Sequence, residues 1–221
     1  MKVTRVTCCL CLLVLSLVAF TFFTAAPKAQ AGASGSTFVS RFHGLSAFAD
    51  FDSFSPGGCI ETFVFVNGTQ NGSSQEADVF ISQVNNCAPT PLSGGGGGGG
   101  CGQGAILCAF GSTFSPAFQV GKSLETASLS ATISVFDFVS GNTFNVSVSM
   151  TWTATGPLSS ESGSSHFRTK NFIENFHFNN TFRDASASGT VSDGTTNFTP
   201  SPSVFAQTAS FKSGDVTITH S

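Results

Sequence analysis

From Leu129 to Val135 the odd positions are Leu129, Ala131, Ile133 and Val135, and the even ones are Ser130, Thr132 and Ser134. After Ser140-Gly141 the alternation resumes, with Phe144, Val146, Val148, Met150 and Trp152 apolar and Asn145, Ser147, Ser149 and Thr151 polar. A period of two places every second side chain on one face of a strand, so these two segments read as neighbouring strands with one buried and one wet face. A register in which paired numbers sum to 281 keeps both apolar sets on that face: Val135 opposite Val146, Ile133 opposite Val148, Ala131 opposite Met150, Leu129 opposite Trp152. Trp152 is then a core residue, and a slip of one residue would expose one of the stripes.

Other segments repeat the device. Ile60–Val66 and Val79–Val84 are apolar runs separated by the turn-rich NGTQNGSS, which reads as a hairpin. Ser213-Gly214 reads as a two-residue turn placing Phe211 opposite Val216, and Asp193-Gly194 as a tight turn leading to Phe198. With Phe42–Phe51, Ala105–Phe110 and the segments around Phe167 and Phe176–Phe182, about eight to ten strands are expected and no segment has a helical period. The expected fold is all-β, an antiparallel β-sandwich, with a β-barrel as the alternative. Gly94–Gly100 cannot pack a core, so residues 93–104 read as a flexible glycine-rich loop within a single domain spanning 32–221.

The first 31 residues have a different logic. Lys2 and Arg5 precede an apolar run from Cys8 to Phe23, and Ala29-Gln30-Ala31 supplies the small-x-small pattern of a signal-peptidase site. Residues 1–31 therefore read as a cleaved signal peptide and the protein as secreted, free of the membrane after cleavage. Residues 32–221 hold four cysteines, Cys59, Cys87, Cys101 and Cys108, and an even number in an exported chain implies disulfides. Residues 59 and 87 are equidistant from Ser73 in the hairpin turn, which pairs them and leaves Cys101 with Cys108.

Composition narrows function more than it identifies it. Charged residues are 10% of the chain, against about a quarter in an ordinary soluble domain, so Ser, Thr, Asn and Gly must keep the surface wet. There are 25 Phe, one Trp and no Tyr, which suggests aromatics used as core filler. Six basic residues after the signal (Arg41, Lys122, Arg168, Lys170, Arg183, Lys212) stand against twelve acids, a net charge of −6. No Lys/Arg run offers phosphates a partner, so nucleic acid is not an expected partner.

None of the specific catalytic signatures occurs: no G-x-S-x-G, H-E-x-x-H, S-x-x-K or phosphate-binding glycine loop. Asp50 and Asp52 share a strand face and read as solvated acids near a strand end. In FHFNNTFRDA, Phe176, Phe178 and Phe182 alternate with His177, Asn179, Thr181 and Arg183, and in SHFR His166 and Arg168 flank Phe167. A hairpin whose numbers sum to 343 would set Phe167 against Phe176 on the inner side and His166 against His177 on the outer, where two imidazoles could share a metal. The plainer reading is a polar outer face. No cofactor is expected.

ASLSATISVFDFVSGNTFNVSVSMTWTATG, followed by SHFR, TFRDASASGTVSDGTTNFTPSPS and KSGDVTI, resembles a set of uncharacterised exported bacterial proteins over roughly the last hundred residues. The resemblance implies a bacterial, exported protein whose N-x-S/T sites at Asn67, Asn71, Asn145, Asn179 and Asn197 are unmodified, and it carries no activity. The leading expectation is a non-catalytic binding or surface-associated protein acting on an extracellular ligand or surface. Its alternatives are a carbohydrate-binding module, which a solvent-exposed row of Phe would favour, and a hydrolase, which a cleft holding two close carboxylates would favour. Protein recovered from its host is expected to begin at Gly32 and to carry no free thiol. Intact mass before and after alkylation checks both statements.

Overall fold

The structure, a computed structural model, describes residues 36–87, 104–169 and 172–219. The proposed signal peptide, Gly94–Gly100 and Cys101 lie outside these residues. Ten strands occupy the described chain: β1 (Ser36–Phe54), β2 (Ile60–Asn71), β3 (Ser74–Asn85), β4 (Ala105–Phe114), β5 (Ala117–Val120), β6 (Thr126–Asp137), β7 (Thr143–Ala154), β8 (Ser159–Arg168), β9 (Phe172–Ser192) and β10 (Phe205–Thr219). No helix occurs among the described residues. All pairings are antiparallel and join one sheet in the order β10-β1-β2-β3-β4-β6-β7-β9-β8, with β5 beside β6.

β10 also pairs with β9, so the ladder returns on itself. Between β4 and β6 it holds by only two residue pairs, Ala109 with Asp137 and Phe110 with Phe136. The closure is therefore no regular barrel; β10-β1-β2-β3-β4 fold over β5-β6-β7-β9 as the two leaves of a sandwich. Phe118 of β5 lies so near Gly68 of β2 that a Cβ there would stand 2.5 Å from the ring.

The core is the sum of the alternating stripes. Ala47, Ala49 and Phe51 of β1, Val64 and Val66 of β2, and Val79 and Ile81 of β3 meet Leu129, Ile133, Val135, Val146, Val148, Met150 and Trp152 from the other leaf. Trp152 is the largest fully buried side chain, and its indole N–H donates to the Phe48 carbonyl at 2.9 Å, a bond that links residues 104 apart in sequence. An indole N–H buried without a partner would cost about 1–3 kcal/mol, so this bond fixes both the ring and the spacing of the leaves.

Several expectations of pairing change. β6 and β7 pair with a sum of 279 rather than 281: Ile133 opposes Val146, Leu129 opposes Met150, and Ala127 opposes Trp152. A shift of two preserves parity, so both stripes still face inward. Asp137 sets the actual register: its carboxylate accepts the backbone N–H groups of Val139 and Ser140 and the Ser140 hydroxyl, and it reaches across to the N–H of Cys108. These bonds build a four-residue loop over 138–141, closed by Asp137 N–H to the Asn142 carbonyl.

Ser213-Gly214 is not a turn. β10 runs straight through it, because β1 pairs one edge of this segment and β9 the other. The glycine serves close approach instead: a Cβ at 214 would lie 2.7 Å from Nε2 of His177. Asp193-Gly194 does turn, with Gly194 at φ +92° and the Asp193 carboxylate accepting the N–H groups of Thr195 and Thr196.

The hairpin β2–β3 forms as expected, and Cys59 is bonded to Cys87 with their Cα atoms 5.1 Å apart. The ladder itself sums to 145, so Cys59 and Cys87 are one position out of line, just past its end, where Asn86 N–H also bonds the Cys59 carbonyl. Cys108 is buried and disulfide-bonded; its expected partner, Cys101, is outside the described residues. Truncating Trp152 to Ala is expected to cost about 3–5 kcal/mol in urea unfolding. Trp152→Phe, which keeps most of the packing but frees the Phe48 carbonyl, is expected to cost about 1–3 kcal/mol.

Candidate functional site

Phenylalanines collect on the solvent side of β10-β1-β2-β3-β4-β6. Residue by residue the register runs Phe205, Asp50, Phe65, Phe80, Phe110, Phe136, one from each of six adjacent strands. At about 4.8 Å between strands the row spans roughly 24 Å. Phe205, Phe110 and Phe136 are 44%, 44% and 43% exposed, and Phe65 and Phe80 are half-buried. Phe48 packs between rows against Phe65 and Phe205, with ring centroids at 6.2 and 5.6 Å, and Phe63 packs against Phe80 at 6.3 Å. Phe138 meets Phe136 edge-on at 5.2 Å. Core filler therefore describes only part of the Phe content.

Carboxylates are set among these rings. Asp50 is 7% exposed although it lies on the solvent side of β1, because the flanking aromatics cover it. That burial raises its carboxyl to about 6. Burial also raises Asp52, helped by the negative charge of Glu61 and opposed by the N–H of Ser53. Asp78 is raised by burial and held partly in check by the Asn67 side-chain amide, which donates to it at 3.1 Å. Glu76 is raised by burial and then by Asp78. Asp50 and Asp52 are thus part of an aromatic surface and not solvated acids. Sequence reading missed the row because it runs perpendicular to the chain, each ring coming from a different strand.

His166 and His177 are not opposed. β8 and β9 pair with a sum of 341, which sets His166 against Asn175 and His177 against Ser164. Asn175 Oδ1 accepts a hydrogen bond from Nδ1 of His166 at 2.6 Å. The hairpin closes through Thr169 N–H to the Phe172 carbonyl, one position earlier in the chain than the closing pair a sum of 343 would need. The imidazoles stand diagonally on one face, and among the described residues no group of three His, Cys, Asp or Glu could hold a metal ion.

The inner and outer assignments of this hairpin also reverse. The odd positions of β9 that pack in the core, Ala187 and Val191, continue in the other direction as Arg183, Thr181, Asn179, His177 and Asn175. The polar stripe is thus the continuation of the core side, while Phe176, Phe178 and Phe182 are on the other side. Phe176 and Phe178 pack ring to ring at 6.1 Å, and Phe178 covers Gly163. Beyond Gly44, β1 has β10 as its neighbour and no longer β2, so β1-β10-β9-β8 continues as a four-stranded flange past the core.

Where flange meets core, a cavity of about 400 Å³ is lined by Leu45, Lys122, Leu158, Thr181, Arg183 and Ser210, among others. Arg183 is committed to this junction: it donates to the carbonyls of Ser123 and Gly156 and lies 4.0 Å from the Glu125 carboxylate.

No family model, curated protein or solved structure matches this chain.

Asp50 gives a direct test of the Phe face. Its folded pKa of about 6 exceeds the ordinary 3.8, so between these values the folded state holds more protons than the unfolded one and stability falls as pH rises. Asp50→Asn is expected to stabilise the protein at pH 8 by on the order of 2–3 kcal/mol, the energy of a shift of that size. Near pH 3 the difference should vanish. Urea unfolding of both proteins from pH 3 to 8 measures it.

Proposed function

We propose that the protein is an exported, non-catalytic binding protein and that the Phe-and-carboxylate face of β10-β1-β2-β3-β4-β6 is its ligand surface. The observation that carries the reading is the six-strand row with half-exposed Phe110, Phe136 and Phe205. Leaving three large rings half wet on one surface costs hydrophobic stabilisation that inward-facing rings would contribute, and contiguous apolar surface of this kind marks interaction sites.

Carbohydrate is the ligand class that fits. Phenyl faces pack on the C–H faces of sugar rings, and the half-buried carboxylates of Asp52 and Glu61 beside them offer acceptors for hydroxyls. A hydrolase needs two carboxylates facing each other across a bound substrate. Asp50 and Asp52 instead project from one strand, opposite Phe65 and Phe63. Export is supported by the Cys59–Cys87 bond, which belongs to an oxidising compartment. It is consistent with this that no helix of the described residues is long and apolar enough to cross a membrane.

Residues 32–221 are expected to be retarded in gels containing at least one neutral polysaccharide from a panel of glucans, mannan and xylan. Phe110→Ala with Phe136→Ala should weaken that retardation by about tenfold, the loss of ~1.4 kcal/mol. Phe167→Ala, an exposed ring elsewhere, should leave it unchanged. Retardation by none of the panel, or equal retardation of the double variant, would refute the reading.

A further inference from the structure

The polar side of the flange holds Arg41, Lys212 and Arg168, three of the six Lys and Arg residues of 32–221, in a chain whose net charge is negative. Reading across β1, β10, β9 and β8, one row is His43, Lys212, Asn179 and Ser162. The next is Arg41, Gly214, His177 and Ser164, the next Val39, Val216, Asn175 and His166, and Arg168 lies one row farther along β8. Arg41, His43, Lys212, His166, His177 and Arg168 are all exposed.

No carboxylate of these four strands shares this side; Glu125, from the loop before β6, meets Arg183 at its core end. The acids of the same strands, Glu161, Glu174, Asp184 and Asp215, have the opposite parity and lie with the phenylalanines. Gly214 leaves the centre of the strip bare of side chain, and the His177 ring leans over it toward β1, its Nε2 2.7 Å from where a Cβ would be. At the core end the strip runs into the 400 Å³ cavity, because Leu45, Ser210 and Thr181 of its lining form the row next to His43, Lys212 and Asn179.

We propose that this strip is a second binding surface, separate from the Phe face, and that it takes a carboxylated polysaccharide lying along the strands with one residue in the cavity. Charge complementarity requires an anionic partner. Two features favour an acidic sugar chain over nucleic acid. The phenyl rings of β8 and β9 are all on the other side, so bases would find only the two imidazoles of His166 and His177 to stack on. Between the cations stand Ser162, Ser164, Asn175, Asn179 and Thr181, whose hydroxyls and amides suit sugar hydroxyls. Three permanent cations spread over four rows match one carboxylate per sugar, and the guanidinium forks of Arg41 and Arg168 can grip a carboxylate through two bonds.

The test uses residues 32–221 at 20 and 150 mM NaCl with polygalacturonate, its methyl ester as the uncharged equivalent, and a single-stranded oligothymidylate. Polygalacturonate should bind, the methyl ester at least tenfold more weakly, and affinity should fall with salt. Arg41→Ala with Lys212→Ala should lose at least tenfold, and Phe110→Ala with Phe136→Ala should lose nothing, which separates this strip from the neutral-sugar face.

Should the double cation variant melt early, Ser164→Glu puts a carboxylate in the middle of the strip on an exposed edge strand and should also abolish binding. Equal binding of the ester, unchanged binding of Ser164→Glu, or tighter binding of the oligothymidylate at equal charge concentration would overturn the proposal.

Discussion

The structure depends on a change of neighbour in the middle of β9. From Ile173 to Phe182 this strand lies between β8 and β10, and from Ala185 to Ser192 it pairs with β7. The second pairing brings Ala187 opposite Trp152 and completes the core. The first returns the ladder to β1 through β10 and carries four strands beyond the core. Because β9 is continuous across the switch, parity is kept, and the side that is apolar inside the sandwich becomes the polar, basic side of the flange. Arg183 stands at the switch, and its bonds to Ser123 and Gly156 tie the loop before β6 and the loop before β8 to this point.

How much of this the residues reveal depends on which direction one reads. Alternation along a strand fixes which side chains share a face, so the stripes of β6 and β7, the burial of Trp152 and the β2–β3 hairpin are legible. Parity cannot distinguish registers that differ by two. Asp137 and the Thr169–Phe172 closure decide those registers, and their chemistry is carried by one carboxylate and one backbone bond rather than by any pattern. The same limit shifted His166 from His177 to Asn175.

The role of a glycine is hidden for a related reason. Ser213-Gly214 and Asp193-Gly194 look alike in sequence, yet only the second has an acid that caps the turn it makes. Gly214 has no positive φ and sits between two paired strands, so its lack of a side chain serves the His177 ring. A serine-glycine pair between alternating segments marks either a turn or a close contact, and the number of strands competing for its two edges decides which. Here β1 and β9 claim both edges.

The two surfaces singled out are consequences of rows that run across strands. With so few charges in the chain, each carboxylate or cation matters to the field around it, and the folded sheet sorts them by sign. Asp50, Asp52, Glu61, Glu76 and Asp78 lie on the outer side of β1-β2-β3, where burial raises Asp50, Asp52, Glu76 and Asp78. Arg41, Lys212 and Arg168 stand on the flange in open solvent, on the opposite side of the same sheet. β1 carries both groups, since its odd positions run from Arg41 and His43 into the core while its even positions reach Asp50 and Asp52 beyond Phe48. An acid placed at position 43 or 41 would join the basic strip, and a cation at 50 would be buried among rings without a carboxylate directly opposite it on β2 or β10. The separation of charge is thus fixed by strand parity together with the point at which β1 leaves β2, and a one-residue insertion between Gly44 and Ala49 would abolish it along with the core.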